Sequence, residues 1–539
     1  MTAAADGSPE APSSNGADAL IDTLAASGLR AIFANPGTSE MHLVAALDRR
    51  PEMSPVLCLH ETVTSGAADG YARMAERPAA TLLHLGPGLG NAWANLHNAR
   101  RGASPVLNLV GDHAEDHLRY DAPLTSDLPA LAGSVSHYVK RTRSAQTAAA
   151  DAALAYAEAA RAPGQVATLI LPADAAWNAA AGPASPQPVA PPAAVDGACV
   201  DRVAAAMRAA KAAGGSVGIL LRGQGLRGAP LRDAAKIAAA TGARLFCDTF
   251  APRLERGVGA PAVERLPYFA EQITPVLEEL TLLVLVQSSP PVSFFAYPGK
   301  PSWCLPEGCE TAYLAHPHED AAQALADLAT ALGASGPAPL AEAGALGGSP
   351  TGPLTADAIG AALAQNTPEG AIIVDEAATT GLGVYPSLAA APRHDHLNLT
   401  GGAIGWGLPA ALGASIAAPD RKVICLHGDG GAMYSVQALW SMAREQADVL
   451  TIIMANRAYA ILQIELSRVQ AVNPGPKAHS TLDLTRPALD FTALARGMGV
   501  EASRAETAEQ FVDQLRSALA RRGPRDGPDD AVFQQDASV

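Results

Sequence analysis

CLHGDGGAMYS at residues 425–435 and IIMANRAYAIL at residues 452–462 decide the fold of this chain. Each contains the end of an apolar, strand-like run, and the residues between them have helical character. The sequence therefore predicts a strand–helix–strand unit with Asp429 at one strand end and Asn456 at the next. The carboxyl ends of parallel strands border a ligand crevice, where a helix N-terminus attracts phosphate. Because carboxylate and amide oxygens suit Mg²⁺, this unit is predicted to bind a metal-bridged diphosphate, although Gly-Asp-Gly alone is also a common turn.

The whole chain repeats this alternation of short apolar runs and longer Ala-rich runs, a pattern typical of α/β units around parallel sheets. Two stretches rich in Pro, Ala and Gly are interpreted as linkers. We therefore expect an α/β fold with three doubly wound parallel-sheet domains. The predicted segments are a disordered leader at 1–16, domains at 17–177, 197–332 and 356–520, linkers at 178–196 and 333–355, and a disordered tail at 521–539.

Composition restricts the classes of function. A chain of 539 residues is too long for one hydrophobic core. Its net charge of −15 argues against a general nucleic-acid surface or an anionic membrane face. No apolar run approaches the roughly 18 residues that cross a bilayer. We expect a protein that binds neither nucleic acid nor membrane.

The cysteines indicate the compartment. Cys58, Cys247 and Cys425 lie in apolar strand-like runs and are predicted to be buried free thiols. Cys304 and Cys309 are close, but no second pair completes a zinc pattern. The N-terminal residues lack the charged start and apolar core of a secretory signal. These features favour a reducing cytoplasm.

The Asp429…Asn456-x-x-Tyr459 spacing, with LTGGAIGWGLPAALGAS at residues 399–415 before it, resembles the pattern of thiamine-diphosphate enzymes. That resemblance implies two cofactors, thiamine diphosphate and Mg²⁺. It also implies three domains that bind the pyrimidine, occupy the centre and bind the diphosphate. The implied metal ligands are Asp429, Asn456 and the backbone carbonyl of Ala458. The implied cofactor contacts are Ile404, Gly430, Gly431, Asn456 and Tyr459, with Ile404 as the hydrophobic residue that bends the cofactor.

The run HETVTSGAADGYAR at residues 60–73 resembles the segment of the same family that contacts the pyrimidine ring. The resemblance makes Glu61 the carboxyl group that activates the cofactor by driving its aminopyrimidine to the imino tautomer. The chemistry would then be attack on a 2-oxo acid, loss of CO₂ and storage of the electrons as an enamine. The alternative is a carboxylate that only stabilises a helix N-terminus.

Three further residues are candidates for the substrate pocket. His84 ends the strand-like run AATLLH and matches a catalytic histidine of benzoylformate decarboxylase, or is simply a hydrogen-bonded histidine at a strand end. Thr38 matches a substrate-binding serine of that enzyme, or caps the following helix. His113 flanks a loop and either binds substrate or is solvated.

Other positions depart from the related enzymes. The second catalytic histidine of benzoylformate decarboxylase corresponds to Ala296, and a glutamate of pyruvate decarboxylase corresponds to Leu462. These departures weaken the interpretation that the protein is a simple decarboxylase. The run Gly111–Ala114 differs from the GQVP of acetolactate synthases, which weakens a housekeeping synthase. The overall likeness favours proteins described as acetolactate synthase large-subunit-like.

We therefore expect decarboxylation of a small-molecule 2-oxo acid followed by carboligation. The alternatives are a simple decarboxylase that releases an aldehyde and a non-catalytic paralogue. The family resemblance implies a homodimer or homotetramer, because Glu61 and Asp429 would come from different subunits.

The middle segment also carries a dinucleotide-like fingerprint. Gly223, Gly225 and Gly228 lie between a strand-like run and a helical run, and Asp248 follows about 20 residues later. Acetolactate synthases hold FAD in this domain, but other relatives bind no nucleotide there. We do not expect FAD.

Overall fold

The computed structural model describes residues 14–344, 346–521 and 531–535. Its first domain is a parallel sheet of six strands in the order β2-β1-β3-β4-β6-β5. The sheet is buried on both faces, because Ala31 and Phe33 face one hydrophobic core while Ile32 and Ala34 face the other. The strands are β1 Ala31–Asn35, β2 Ser54–Leu57, β3 Ala79–Leu83, β4 Val106–Asp112, β5 Tyr138–Arg141 and β6 Val166–Pro172. The helices are α1 Gly16–Ala26, α2 Met41–Leu47, α3 Glu61–Ala75, α4 Leu85–Gly102, α5 Leu128–Gly133, α6 Ala145–Ala160 and α7 Ala173–Trp177.

The middle domain contains a five-stranded parallel sheet in the order β10-β8-β7-β11-β12. Its strands are β7 Ser216–Leu221, β8 Arg244–Cys247, β10 Glu264–Arg265, β11 Leu280–Val286 and β12 Glu310–Ala315. A further strand of this segment, β9 Arg253–Arg256, pairs antiparallel with the third domain instead. The helices are α8 Gly197–Ala212, α9 Gly228–Thr241, α10 Ala270–Leu277 and α11 Ala321–Ala331.

The third domain has a seven-stranded sheet in the order β17-β18-β16-β15-β13-β14-β9, parallel except for β9. Its own strands are β13 Ile372–Glu376, β14 His394–Asn398, β15 Val423–Gly428, β16 Val449–Met454, β17 Glu501–Ala505 and β18 Ala531–Gln535. The helices are α12 Ala356–Asn366, α13 Ala378–Ser387, α14 Gly407–Ala417, α15 Asp429–Ala432, α16 Ala438–Glu445, α17 Ala460–Arg468, α18 Pro476–Ser480, α19 Phe491–Gly497 and α20 Ala508–Ala520. The predicted class of parallel-sheet α/β domains is confirmed.

Several local expectations differ from the structure. Five residues of the predicted disordered tail form β18, which pairs with β16 and β17. Disorder is therefore wrong for these five residues, AVFQQ, which backbone pairing holds on both sides although the surrounding tail sequence is polar. Residues 522–530 and 536–539 lie outside the described residues. Residues 1–13 of the predicted leader also lie outside the described residues. After them, α1 begins at Gly16 with Asn15 as its N-cap. The helix expected between Asp429 and Asn456 is split into α15 and α16.

Two further expectations concern burial. All six cysteines are free, and the three in strand-like runs are buried as predicted. Burial raises the pKa of the Cys58 thiol to about 12, so it stays protonated. Among the described residues, no helix combines the length and apolarity that crossing a membrane requires.

The first and third domains meet where α3 crosses α14 at backbone contact. A Cβ atom on Gly70 would lie 2.1 Å from the Ala410 carbonyl oxygen, and one on Gly413 would lie 1.9 Å from that of Ala67. Neither position can carry a side chain without separating the helices. This glycine requirement fixes the relative position of the two domains.

Arg73 ties all three domains together beside that crossing. Its buried guanidinium forms a two-pronged ion pair with Asp69. It also donates to the carbonyl oxygens of Pro252 in the middle domain and Asn398 in the third. The indole of Trp406 donates to Asp69 at 2.7 Å and lies against the guanidinium. Because the N–H groups of this buried guanidinium all donate to protein acceptors, the arginine favours one arrangement of the three domains.

We predict that Gly70→Ala lowers the apparent free energy of unfolding by about 1–3 kcal/mol, because the new methyl group overpacks a backbone contact. Gly90→Ala is the matched control: it is helical in α4, exposed and has nothing within 4 Å of the added methyl. There, alanine should be neutral or stabilise by up to about 1 kcal/mol. Thermal unfolding followed by circular dichroism measures both, and equal effects of the two substitutions would contradict the crossing constraint.

Candidate functional site

Asp429 lies at the carboxyl end of β15, as predicted, and is almost completely buried. Its Oδ1 accepts the Gly430 N–H at 2.8 Å, and its Oδ2 accepts the Arg457 N–H at 2.6 Å. Burial raises the pKa of Asp429, and these backbone N–H groups offset part of the rise. No lysine or arginine side chain pairs with it in the described part of the chain. A buried carboxylate with this environment is suited to a cation.

Asn456 follows the neighbouring strand β16, and the Arg457–Asp429 hydrogen bond connects the two strand ends. Its Oδ1 accepts the Ala458 N–H at 3.1 Å, which turns the Ala458 segment towards the start of α17. The described residues contain no cluster of three or more His, Cys, Asp or Glu side chains that would hold a metal. A cation here would therefore depend on Asp429, neutral oxygens and an anionic ligand, a set that Mg²⁺ accepts.

The turn after Asp429 consists of glycines because neighbouring side chains pack directly against its backbone. A Cβ atom on Gly430 would lie 2.4 Å from the ring of Tyr459, and one on Gly431 would lie 2.8 Å from Glu376 Oε1. The structure thus brings together five of the residues predicted for the diphosphate end: Asp429, Gly430, Gly431, Asn456 and Tyr459. Backbone N–H groups at such a turn favour phosphate oxygens.

Glu376 organises the Gly-rich turn that carries Ile404. Its carboxylate accepts the N–H groups of Gly405, Trp406 and Gly407 at 2.6–2.7 Å. Gly407 is the first residue of α14 and Trp406 its N-cap, so the carboxylate also stabilises that helix N-terminus. Sequence reasoning missed Glu376. Its position at the end of a strand-like run, as for Asp429, was the signal available.

His427 lies behind the same carboxylate and is fully buried. Burial alone would lower the pKa of His427, but the Glu376 carboxylate, 3.4 Å from Nε2, outweighs that effect and raises it. The imidazole and the carboxylate together form a buried polar layer beside the turn at Asp429.

Glu61 is the first residue of α3 and is buried. The Asn91 amide of α4 donates to its Oε2 at 3.0 Å. A Cβ atom on Gly88 would lie 3.2 Å from its Oε1, so a glycine makes room for the carboxyl group. The helix itself is capped by His60, which accepts the Thr62 N–H. Asn91 was also missed by sequence reasoning.

His84 directly follows β3 as the N-cap residue of α4, and it is hydrogen-bonded to a residue that the sequence did not indicate. Its Nδ1 lies 2.8 Å from Oε2 of Glu40, whose side chain is fully buried. Glu40 Oε2 also accepts the Gly37 N–H at 2.7 Å. Both residues of this pair lie at the edge of the sheet where Asp112 ends β4.

Thr38 and His113 lie beside that pair. Thr38 is exposed and begins a 3-10 turn, Thr38–Glu40, whose N-cap is Gly37. The alternative that Thr38 caps the following helix is therefore wrong, since the N-cap of α2 is Glu40. His113 follows β4, and its ring lies 5.3 Å from that of His117. Its Nε2 is buried without a hydrogen-bond partner in the described residues, so the solvated alternative does not hold for that atom.

The two departures noted in the sequence are both solvent-facing. Ala296 and Leu462 are exposed, and neither can exchange a proton. Beside Ala296, Phe294 lies against the Gly-rich turn, where a Cβ atom on Gly402 would be 2.7 Å from its ring. Phe294 packs edge-on against Phe250 and Phe295. This face of the turn is therefore aromatic.

The two ends of the predicted site remain separate within one chain. Across the described residues, no hydrogen bond or ion pair joins Glu61 to Asp429 or Asn456. Each end is nevertheless internally ordered by its own hydrogen bonds. The arrangement is compatible with a site that is completed by a second copy.

The dinucleotide-like fingerprint has a different environment. Gly228 begins α9, but its N–H donates to Oε2 of Glu255 at 2.9 Å. Asp248 is paired with Arg222. A carboxylate thus occupies the helix N-terminus where a pyrophosphate would bind, and Asp248 is engaged elsewhere. This geometry does not favour FAD.

Comparisons with known proteins agree with the geometry of the diphosphate end. Residues 14–134 match the N-terminal TPP binding domain of thiamine pyrophosphate enzymes, and residues 382–525 match their C-terminal TPP binding domain. A Mycobacterium tuberculosis protein named "Putative acetolactate synthase large subunit IlvX" is 54% identical over 519 residues, which cover 95% of this chain and 98% of that protein. The chain belongs to the thiamine pyrophosphate enzyme family.

Other relatives connect this family member with decarboxylases. Benzoylformate decarboxylase of Pseudomonas aeruginosa is 28% identical over 541 residues, covering 92% of this chain and 95% of the relative. The solved structure of a 4-hydroxybenzoylformate decarboxylase from Rhodococcus jostii RHA1 superposes with a TM-score of 0.81 at 24% identity, covering 97% and 99% of the two chains. The resemblance inferred from the sequence is confirmed, and the matched domains support thiamine diphosphate as the cofactor.

We predict that Glu376→Gln weakens thiamine diphosphate binding at least tenfold, because the turn that carries Ile404 loses a charged acceptor for three N–H groups. The thermal unfolding midpoint should also fall. Glu369→Gln is the control, since that exposed carboxylate pairs only with Arg393 at the surface. Calorimetric titration of the cofactor in the presence of Mg²⁺ measures the effect. Unchanged affinity in Glu376→Gln would show that the carboxylate does not organise the turn.

Proposed function

We propose that this chain is a thiamine-diphosphate- and Mg²⁺-dependent enzyme that decarboxylates a 2-oxo acid and joins the remaining acyl unit to a second carbonyl compound. The observation that carries this proposal is the combination of an ordered diphosphate end around Asp429 with a buried Glu61 at the other end. The absence of a proton-exchanging side chain at Ala296 and Leu462 favours carboligation over release of an aldehyde.

Several residues would hold the cofactor. Asp429, Asn456 and the Ala458 carbonyl would bind Mg²⁺, and the N–H groups at Gly430 and Gly431 would face the diphosphate. When bound, thiamine diphosphate supplies a nucleophilic carbon and accepts the electron pair that CO₂ leaves behind. The raised pKa of Asp429 reflects a carboxylate that burial has made costly to ionise, and a divalent cation would remove that cost.

Glu61 would exchange a proton with the pyrimidine ring of the cofactor. Asn91 fixes one carboxyl oxygen by its hydrogen bond, which leaves Oε1, beside Gly88, to face the ring. A buried carboxyl group that is already held in one orientation transfers a proton without the entropic cost of being oriented first. Without a cofactor ring opposite it, this carboxyl group would have no partner for proton transfer. In this proposal the diphosphate end of another subunit holds that cofactor.

Apolar side chains beside the Gly-rich turn support carboligation. Phe294 lies against the Gly-rich turn at Gly402, Phe295 packs on Phe294, and the exposed Leu462 lies in the first turn of α17. An apolar rim limits the supply of protons to the reacting carbon, so that a carbonyl acceptor competes better with water. The likeness to the acetolactate synthase-like relative supports the same reaction class.

Simple decarboxylation is the second candidate, and a specific observation favours it. His84 retains a buried carboxyl partner, which equips this end of the site to move protons. The similarity to benzoylformate decarboxylase and the aromatic surface at Phe294 would then indicate a 2-oxo acid with a large apolar side chain.

The assembly and location belong to the same proposal. A homodimer or homotetramer would place Glu61 of one copy opposite Asp429 of another. Thr38 and His113 would line the pocket for the substrate carboxylate. The free cysteines fit a cytoplasmic enzyme.

We predict that Glu61 and Asp429 separate turnover from binding. Glu61→Gln should bind thiamine diphosphate with Mg²⁺ within a few-fold of the unaltered chain, while CO₂ release falls at least about 100-fold, because proton exchange is lost. Asp429→Ala should lose cofactor binding, because the cation loses its only charged protein ligand. Glu52→Gln, at an exposed position, is the control. Calorimetry and CO₂ detection measure the two properties.

Two outcomes would overturn these assignments. Full activity of Glu61→Gln would remove its proposed role. A purified chain that binds no thiamine diphosphate in the presence of Mg²⁺ would favour the non-catalytic paralogue instead.

Products decide between the two enzyme reactions. We predict that a panel of 2-oxo acids, including pyruvate and benzoylformate, yields CO₂ with a carbon–carbon coupled product. Mass spectrometry and NMR of the products identify the coupling and the preferred side chain. Stoichiometric aldehyde without a coupled product would replace carboligation with simple decarboxylation.

A further inference from the structure

Glu40 is a buried carboxyl group whose two oxygens have unequal surroundings. Its Oε2 lies 2.8 Å from His84 Nδ1 and accepts the Gly37 N–H at 2.7 Å. Its Oε1 is buried and has no hydrogen-bond partner in the part of the chain that the structure describes. A buried polar atom left in this way costs stability, and functional sites are where proteins retain such atoms.

Two glycines form the space that this pair occupies. A Cβ atom on Gly111 would lie 1.7 Å from Glu40 Oε1, and one on Gly37 would lie 2.3 Å from His84 Nδ1. Any larger residue at either position would separate the carboxyl group from the imidazole. The enclosure holds Glu40 and His84 in one geometry.

The imidazole connects this enclosure with the crevice. About a quarter of the His84 side chain is exposed, whereas Glu40 has no exposed side-chain surface. Nδ1 is therefore the inner ring nitrogen, and Nε2 has no partner among the described residues. A histidine whose inner nitrogen is held by a carboxyl group has its tautomer set by that group.

Charges around the pair decide its protonation. Burial raises the pKa of Glu40, and the Gly37 N–H and His84 offset part of that rise. Beyond Gly111 lie Asp112, which is paired with Arg141, and then His113.

On the other side, the carboxyl group of Glu61 lies across Gly88, which also borders His84. No other buried carboxyl group among the described residues bonds to the His84 ring. Glu40 is therefore the group that determines how the imidazole carries its proton.

We propose that Glu40 is the positioning residue of His84: it holds the proton on Nδ1, so that Nε2 faces the crevice and the pair delivers one proton to the reacting substrate. The delivery step rests on the proposed function. Ala296 and Leu462 offer no alternative proton carrier.

The proton balance is simple. Loss of CO₂ from a carboxylate leaves an electron pair that must be matched by one proton from solvent per turnover. That proton leaves His84 Nε2 for the carbonyl oxygen of the acceptor in carboligation, or for the substrate carbon in aldehyde release. The Nδ1 proton stays on the ring, bonded to Glu40, and Nε2 is reprotonated from solvent.

The first test is nitrogen NMR of ¹⁵N-histidine-labelled protein without cofactor, with His84→Gln used to assign the signal. In the unaltered chain we expect the Nδ1–H tautomer when the ring is neutral. Glu40→Gln should keep that tautomer, because the amide oxygen still accepts. Glu40→Met, which has similar volume and no acceptor, should populate both tautomers. Identical tautomers in Glu40→Met and the unaltered chain would overturn the proposal.

The second test is the pH dependence of turnover. Glu40→Gln keeps an acceptor for Nδ1 but removes an ionisable group from the pair, so the pH profile of kcat should differ from that of the unaltered chain. Glu40→Met should lower kcat at neutral pH about 10- to 100-fold, with little change in KM. Glu52→Gln is the control and should match the unaltered chain. Superimposable pH profiles for Glu40→Gln and the unaltered chain would refute a role in proton delivery.

Failure of the positioning role of Glu40 can be distinguished from failure of the proposed function. The NMR measurement needs neither cofactor nor turnover. A Glu40-dependent tautomer in a chain that releases CO₂ from no 2-oxo acid would support the positioning and overturn the reaction. A merely structural Glu40 would lower the unfolding midpoint of both variants and leave the tautomer and the pH profile unchanged.

Discussion

The backbone contact between α3 and α14 is the constraint on which the rest of this molecule depends. Gly70 and Gly413 allow the helices to touch, and the indole of Trp406, the N-cap residue of α14, donates a hydrogen bond to Asp69 of α3 beside the crossing. Glu61 begins α3, and the Glu376-bound turn begins α14. The crossing therefore positions Glu61 and the Glu376-bound turn relative to each other, because each lies at the N-terminus of one of the two crossing helices.

Within that frame, the site repeatedly uses one device, a buried carboxyl group that accepts backbone N–H groups. Glu40 accepts the N–H of Gly37, and Glu376 accepts N–H groups at the start of α14. Asp429 accepts the N–H groups of Gly430 and Arg457, which follow two neighbouring strands. Such bonds hold the carboxyl groups in place before any ligand arrives, which lowers the cost of organising the site during a reaction. They also explain why glycines surround them, since the N–H groups must approach closely.

Much of this was accessible from the sequence, because strand-end residues in a parallel sheet fall at one edge. Asp429 and Asn456 were predicted together for that reason, Tyr459 was added by the family resemblance, and the structure brings the three together. Glu40 and Glu376 were not identified, because their partners are backbone N–H groups and one imidazole that are distant along the chain. The tail strand was missed for a related reason: β18 is a five-residue segment within a polar tail, and its partners β16 and β17 are distant along the chain.

The sequence by itself determined the repeated α/β pattern, the family and the cofactor, because these depend on local periodicity and on short motifs at fixed spacing. Only the tertiary structure decided which carboxyl group forms hydrogen bonds or ion pairs with which partner. It placed Glu40 against His84, filled the α9 N-terminus with Glu255 and tied three domains to Arg73. Those choices depend on distances between segments tens to hundreds of residues apart, which are set by packing and by the absence of side chains at a few glycines.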